Sequence, residues 1–185
     1  MNKWDQKRKI IKRYDLTAQM YDARYGEEQE TKYKVAMKGL NVSSSSLILD
    51  VGCGTGLFFT YVAEKAKMVV GLDISSKLLA KAKERAKNLC NVHLVRGDAD
   101  HLPFKKHTFT VVSAFTLLQN MPKPLTTLKE IKRTAKPKGL VVVTGLKKTF
   151  SLTTFTQLLK NAGLSLISVR EDAFLKCYVA FGTLS

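Results

Sequence analysis

Between Leu47 and Leu146, short apolar runs alternate with amphipathic stretches, and this alternation constrains the fold more than any other feature. The runs are LILDV (47–51), MVVGLD (68–73), NVHLVRGD (91–98), FTVVSAF (109–115) and GLVVVTGL (139–146). Between them lie LFFTYVAEKAK, SSKLLAKAKERAKN and PLTTLKEIKRTAK, followed later by SLTTFTQLLKNAG, each with apolar residues at helical spacing. Strands that are apolar throughout and separated by helices predict a parallel sheet covered on both faces. LSLISVRED and AFLKCYVAFGT close the chain only a short turn apart, so an antiparallel hairpin is expected at one edge.

The first 42 residues read as helical, and Gly39 with Ser43–Ser46 punctuates the passage into the alternating core at 47–185. With no repeat or second composition, residues 1–185 are expected to form one domain. No apolar run reaches the roughly 20 residues needed to cross a bilayer, and no signal-peptide pattern is present. Cys53, Cys90 and Cys177 form no CxxC pair or metal-ligand spacing; they fit a reducing cytoplasm, and no metal is expected.

Ligands of such sheets bind beyond the carboxyl ends of the strands. There the chain places Asp50-Val51-Gly52-Cys53-Gly54-Thr55-Gly56, then Asp73, then Asp98-Ala99. The glycines permit a tight turn and close backbone approach. A carboxylate directly before them disfavours a pyrophosphate and suits a cationic or amine-bearing ligand, or else it ties down the loop's own N–H groups. Asp73 has the place of an acid that takes two ribose hydroxyls. Asp98 either accepts from an adenine amine or caps a helix. Together the three acids outline a cationic or zwitterionic nucleoside.

LILDVGCGTG, VVGLDIS, VRGDADHLPF and EIKRTAKPKGLVVVT resemble the successive motifs of class I S-adenosylmethionine-dependent methyltransferases. YDLTAQMYDARY (14–25) resembles the N-terminus of a small subgroup of them, of the type 11 kind. The resemblance implies a Rossmann-like three-layer sandwich with a seven-stranded, mostly parallel sheet and an antiparallel C-terminal edge hairpin. It implies S-adenosylmethionine as cofactor, leaving as S-adenosylhomocysteine. By the same resemblance, cofactor contacts are expected at Tyr21, Asp50, Gly52, Cys53, Gly54, Gly56, Asp73, Ile74, Asp98, Ala99, Ala114 and Phe115. The segment around Tyr14, Tyr21 and Arg24 either forms a lid over the cofactor or packs its tyrosines on the sheet. Thr110 stands where the family often has Asp, a change expected to be structural only.

The acceptor is expected against VVSAFTLLQNMPKP (111–124), which lacks His, Cys, Asp and Glu. It also lacks the Asn/Asp-Pro-Pro-aromatic motif with which related enzymes grip planar amines. Transfer from an activated donor needs positioning above all, an effect of about 7–11 kcal/mol in well-oriented reactions. Gln119 and Asn120 either orient the acceptor or merely end the strand, and Phe115 either stacks on a base or belongs to the core. His93, His101 and His107 lie where a general base is not expected.

The chain carries 31 Lys+Arg against 15 Asp+Glu, a net charge of +16. Residues 101–185 alone hold 13 basic and 3 acidic residues. Such an excess steers polyanions. Lys7, Arg8, Lys12, Arg13, Lys123, Lys147 and Lys148 are therefore expected to frame a phosphate-binding surface, with tRNA or rRNA as acceptor. A metabolite or protein acceptor, a non-catalytic cofactor-binding subunit, and a small activator subunit as partner are the alternatives.

Overall fold

The computed structural model describes residues 2–184. Helix α1 (Lys3–Thr17) runs through a 3-10 turn (Ala18–Met20) into α2 (Tyr21–Met37). The core follows as β1 (Leu47–Val51), α3 (Phe59–Val62), β2 (Met68–Asp73), α4 (Ser76–Arg85), β3 (Val92–Arg96), β4 (Phe109–Ala114), α5 (Pro124–Thr134), β5 (Ala135–Leu146), α6 (Leu152–Asn161), β6 (Ser165–Arg170) and β7 (Cys177–Thr183). The seven strands form one sheet in the order β3-β2-β1-β4-β5-β7-β6. Pairings from β3 through β5 are parallel, whereas β7 runs antiparallel to both β5 and β6. This is the Rossmann-like arrangement with an antiparallel edge.

Alternate strand residues feed two separate cores. Leu49, Val70, Val112 and Val141 pack toward α5 and α6 through Leu128, Ile131, Phe155 and Leu159. Ile48, Val69, Val111 and Val142 face Phe58, Phe59 and Val62, with Tyr33 and Ala36 of α2 and Ala82 of α4. Burial on both sides explains why these strands read as apolar runs rather than as alternating patterns. Gly71, in mid-strand, lies beneath this second core: a Cβ there would come 2.5 Å from Phe59 Cζ and 2.9 Å from Cys53 Sγ. Gly71→Ala should therefore destabilise the chain by about 1–3 kcal/mol, read as a lower urea midpoint at unchanged slope.

Two boundaries differ from expectation. LFFTYVAEKAK forms only the four-residue α3, Phe59–Val62, with a turn on either side. The strand expected from Gly139 begins earlier, at Ala135, with Pro137–Gly139 forming a looped-out irregularity inside β5, where pairing jumps from Phe109↔Ala135 to Val111↔Leu140 and Lys138 has φ +60°. Thr110 has the structural part expected of it: its hydroxyl accepts from Leu47 N–H at 2.9 Å and donates to Leu47 O at 3.1 Å, fastening β4 to β1.

Strand order reverses between β1 and β4, since β2 and β3 extend to one side and β5 to the other. The crevice at that reversal, beyond the strand ends, is where such sheets bind ligands.

Candidate active site

The crevice is a cleft of about 690 Å³, its open mouth included, walled by Gly52 and Gly54 after β1, Asp73 and Ile74 at the end of β2, and Asp98 and Ala99 after β3. Phe115 and Thr116 after β4 form its far side, and Tyr14 and Tyr21 cover it. Gly52, Gly54 and Gly56 all adopt positive φ (+76°, +57° and +75°), which explains glycine at each turn of the loop. At Gly54 a side chain would also project into open space, so this backbone is bare to the cleft. Gly56 has a second reason to be glycine: a Cβ there would collide with the Phe59 ring. Gly56, Cys53, Asp50 and Ala114 are buried and do not line the cleft.

The acid that ties down the loop is Asp73, not Asp50. Asp73 Oδ2 accepts from Gly54 N–H at 2.9 Å and Oδ1 from Ser75 N–H at 2.8 Å, which fixes the carboxylate at the cleft edge. Asp50 is fully enclosed and accepts from Ser113 Oγ at 2.7 Å. Burial pushes its carboxyl up to about 7, against the Ser113 hydrogen bond and helped by the nearby Asp73 charge. Among the described residues neither buried acid has an ion-pair partner, which makes this end of the cleft electronegative.

Asp98 already has partners. Lys7 Nζ, reaching from α1, donates to both Asp98 oxygens at 2.7 Å and to Asp100 Oδ2 at 2.6 Å. Asp98 also accepts from Asp100 N–H at 3.0 Å, capping its own loop rather than a helix. Lys7 is consequently buried, which corrects its expected place on a phosphate-binding surface. Three further ties hold the N-terminal helices down: Asp15 to Ser75, Asp22 to Thr55 and Arg85, and Tyr14 to Asn120. In this segment Tyr14 and Tyr21 line the cleft, while Arg24 is exposed.

A second and wider cleft of about 1620 Å³, its open mouth included, adjoins the first. The two share Tyr14, Tyr21, Thr116 and Asn120, which therefore form the doorway between them. Thr116 has φ +57°, a strained conformation for a β-branched residue. Its surroundings over-determine it. Its N–H donates to Thr144 Oγ1 (2.7 Å), and its carbonyl accepts from Gln119 Nε2 (2.7 Å) and Asn120 Nδ2 (3.0 Å). Its hydroxyl meets Gln29 and the buried Lys32 Nζ, the latter at 3.1 Å. Tyr21 accepts from Gln29, and burial raises its phenol far above the ordinary value, so it stays protonated.

Asn120 lies in the doorway and Gln119 lines the wider cleft, with Gln119 Oε1 buried and unpartnered. Phe115 packs into the core against Tyr33 and Phe58 at 4.9 Å and also lines the cleft. Thr116, Gln29 and Lys32 were not expected from sequence. The buried polar pair at i and i+3 of α2 was the one available signal.

The expected basic surface is not continuous. Arg13, Lys147 and Lys148 line the wider cleft, whereas Arg8 and Lys12 lie on a separate shallow surface with Lys77. Lys123 is exposed at the start of α5 and lines neither cleft.

A glycine loop with bare backbone, an acid at each of three strand ends and a switch-point cleft define a nucleoside-binding α/β protein. The family model described as "Methyltransferase domain" matches residues 49–143, over half of the chain. The chain therefore belongs to that family, the class I S-adenosylmethionine-dependent methyltransferases, and S-adenosylmethionine is its cofactor. A demethylmenaquinone methyltransferase of Staphylococcus saprophyticus is 39% identical over 119 residues, 63% of this chain and 51% of the relative. A malonyl-[acyl-carrier protein] O-methyltransferase of Marinomonas is 33% identical over 144 residues, 77% of this chain and 53% of the relative. The chain thus spans about half the length of these curated relatives. The structure of a SAM-dependent methyltransferase from Aquifex aeolicus superposes with a TM-score of 0.73 at 19% identity, covering 83% of this chain and 89% of that one; it shares the fold. Among the described residues, no helix is long and apolar enough to cross a membrane.

Proposed function

We propose that this chain transfers a methyl group from S-adenosylmethionine to a small or carrier-bound acceptor held in the wider cleft. The observation that carries the reading is the doorway: one set of four residues walls both clefts, so a ligand in each would meet there. The bound cofactor supplies a methyl group on a sulfonium, already activated for displacement. Asp73 and the Gly52–Gly54 backbone hold its ribose and methionine ends, Ile74 and Ala99 enclose the adenine, and Asp50 attracts its positive charge from behind the loop. Tyr14 and Tyr21 of the N-terminal lid (1–42) exclude water.

On the acceptor side the protein orients rather than deprotonates. The Tyr21 phenol stays neutral, Thr116 is locked by its hydrogen bonds, and Asn120 presents an amide. Such a doorway suits an acceptor whose nucleophile is ready at neutral pH, and positioning supplies most of the acceleration. The names of the curated relatives, with demethylmenaquinone and malonyl-[acyl-carrier protein] as their acceptors, favour a small or carrier-bound acceptor over RNA. Lys7, Arg8, Lys12 and Lys123 do not line the wider cleft, which favours the same reading. A partner subunit remains compatible with the open outer mouth.

The test is transfer of tritiated methyl from S-adenosylmethionine into fractionated cell extract. Label should enter the small-molecule or acyl-carrier fraction and fall at least tenfold with Tyr21→Phe/Asn120→Ala. Label confined to RNA, and lost as salt rises, would return RNA as the acceptor.

A further inference from the structure

We infer that the wider cleft takes an acceptor bearing a carboxylate or phosphate on an apolar or aromatic body, with the anionic end toward Arg24, Lys147 and Lys148. This deepens the methyl-transfer reading and rests on it.

Charge in this cleft is sorted by depth. The doorway is uncharged, made of two phenols, a hydroxyl and an amide. The outer walls bring five cations to one concavity from separate parts of the chain: Arg13 of α1, Arg24 of α2, Lys147 and Lys148 after β5, and Lys176 before β7. Glu28 is the one acid lining the cleft among the described residues. It is already neutralised from two sides, by Lys32 at 2.8 Å and Lys176 at 3.3 Å, and these partners outweigh burial and hold its carboxyl below the ordinary value.

The other cations have only neutral partners. Arg13 donates to the Asn120 amide at 3.0 Å and packs over the Tyr14 ring. Lys147 donates to the Asp172 carbonyl at 3.1 Å. Among the described residues no carboxylate lies within ion-pair distance of Arg24 or Lys148. A concave site with walls of one sign concentrates the field on what enters it. An anion is the occupant that compensates this charge, and guanidinium and ammonium groups bind carboxylate and phosphate through charge-assisted hydrogen bonds.

The body of the acceptor follows from the remaining wall. Tyr14, Tyr21 and Tyr25 form an aromatic row with ring centroids 6.0 and 5.2 Å apart, leading from the doorway outward. Leu146 stands with Lys147 on the wall of the same cleft. A ligand with an apolar stem and an anionic end matches neutral depth and cationic rim together. An RNA strand would need its cations in a row, yet Lys105 and Lys106 precede β4 and Lys136 and Lys138 lie in the first residues of β5, at the opposite, amino-terminal ends of the strands.

The test uses the whole chain saturated with S-adenosylhomocysteine, whose own binding is measured first by calorimetry. Binding is then compared for 2-naphthoate, 2-naphthyl phosphate, neutral 2-naphthamide and a short oligoribonucleotide. At least one naphthyl anion should bind about tenfold or more tightly than the amide, the gain expected of a charge-assisted pair; which of the two wins separates carboxylate from phosphate. The advantage should vanish in Arg24→Gln/Lys148→Gln, while S-adenosylhomocysteine affinity, the control for folding, holds. Equal binding of anion and amide, or an advantage that survives the double substitution, overturns the inference. Tighter oligoribonucleotide binding abolished by the same substitutions overturns it in favour of nucleic acid. Naphthyl anion preference without S-adenosylhomocysteine binding leaves the cleft assignment standing and removes the methyl-transfer reading instead.

Discussion

Asp50→Asn should weaken S-adenosylmethionine binding at least tenfold at pH 8 while making the free chain more stable. The two effects share a cause. Asp50 is enclosed, its one side-chain hydrogen bond comes from Ser113, and Asp73 is its charged neighbour. In the free chain burial raises its carboxyl from 3.8 to about 7. The folded state therefore holds this proton more tightly than the unfolded state does. Its contribution to stability is complete below pH 3.8 and is lost as pH rises through 7, of the order of a few kcal/mol by pH 8. Asparagine keeps the acceptor for Ser113 and removes the charge, so the variant escapes that loss. A cationic ligand stabilises the ionised form, so wild-type affinity for S-adenosylmethionine should rise between pH 6 and 8, and the variant should lose this dependence. Calorimetric titrations at both pH values, with thermal melts of the free proteins, read all of this. Unchanged affinity in the variant would refute the assigned role.

Lys7→Met should detach the first helix. The ammonium sits between Asp98 and Asp100, and removing one member of a buried charge set typically costs about 3–5 kcal/mol because the others are left uncompensated. Here α1 can lift and let both carboxylates rehydrate, so the loss is limited to the docking energy of the helix. Amide exchange at residues 3–17 should accelerate at least tenfold, while exchange in β1, β2 and β4 changes little. Any global effect should lower the melting temperature by roughly 2–4 °C per kcal/mol for a chain of this size. Unaltered protection of α1 would show that the other ties suffice.

The sheet was legible because its strands are buried on both faces, so burial needs no partner information to be read. The three strand-end acids were legible too, since topology alone brings the carboxyl ends of parallel strands together. What escaped was pairing over long sequence distance. Lys7 looked like one of several lysines on a basic helix until Asp98 and Asp100, some 90 residues away, turned out to enclose it. Asp15 and Asp22 tie the N-terminal helices to Ser75 and Arg85 for reasons no local pattern carries. Thr116 was invisible because a positive φ on a β-branched residue contradicts local preference and exists only where tertiary contacts impose it. Charge was misleading for a simpler reason: a net of +16 says how many cations there are, not which of them share a surface.

Asp98, on the cleft wall, is held by an ammonium from α1, the same helix that carries Tyr14. The loop after β3 and one wall shared by both clefts therefore hang on a single helix, so any change in the seating of α1 would reshape the two together.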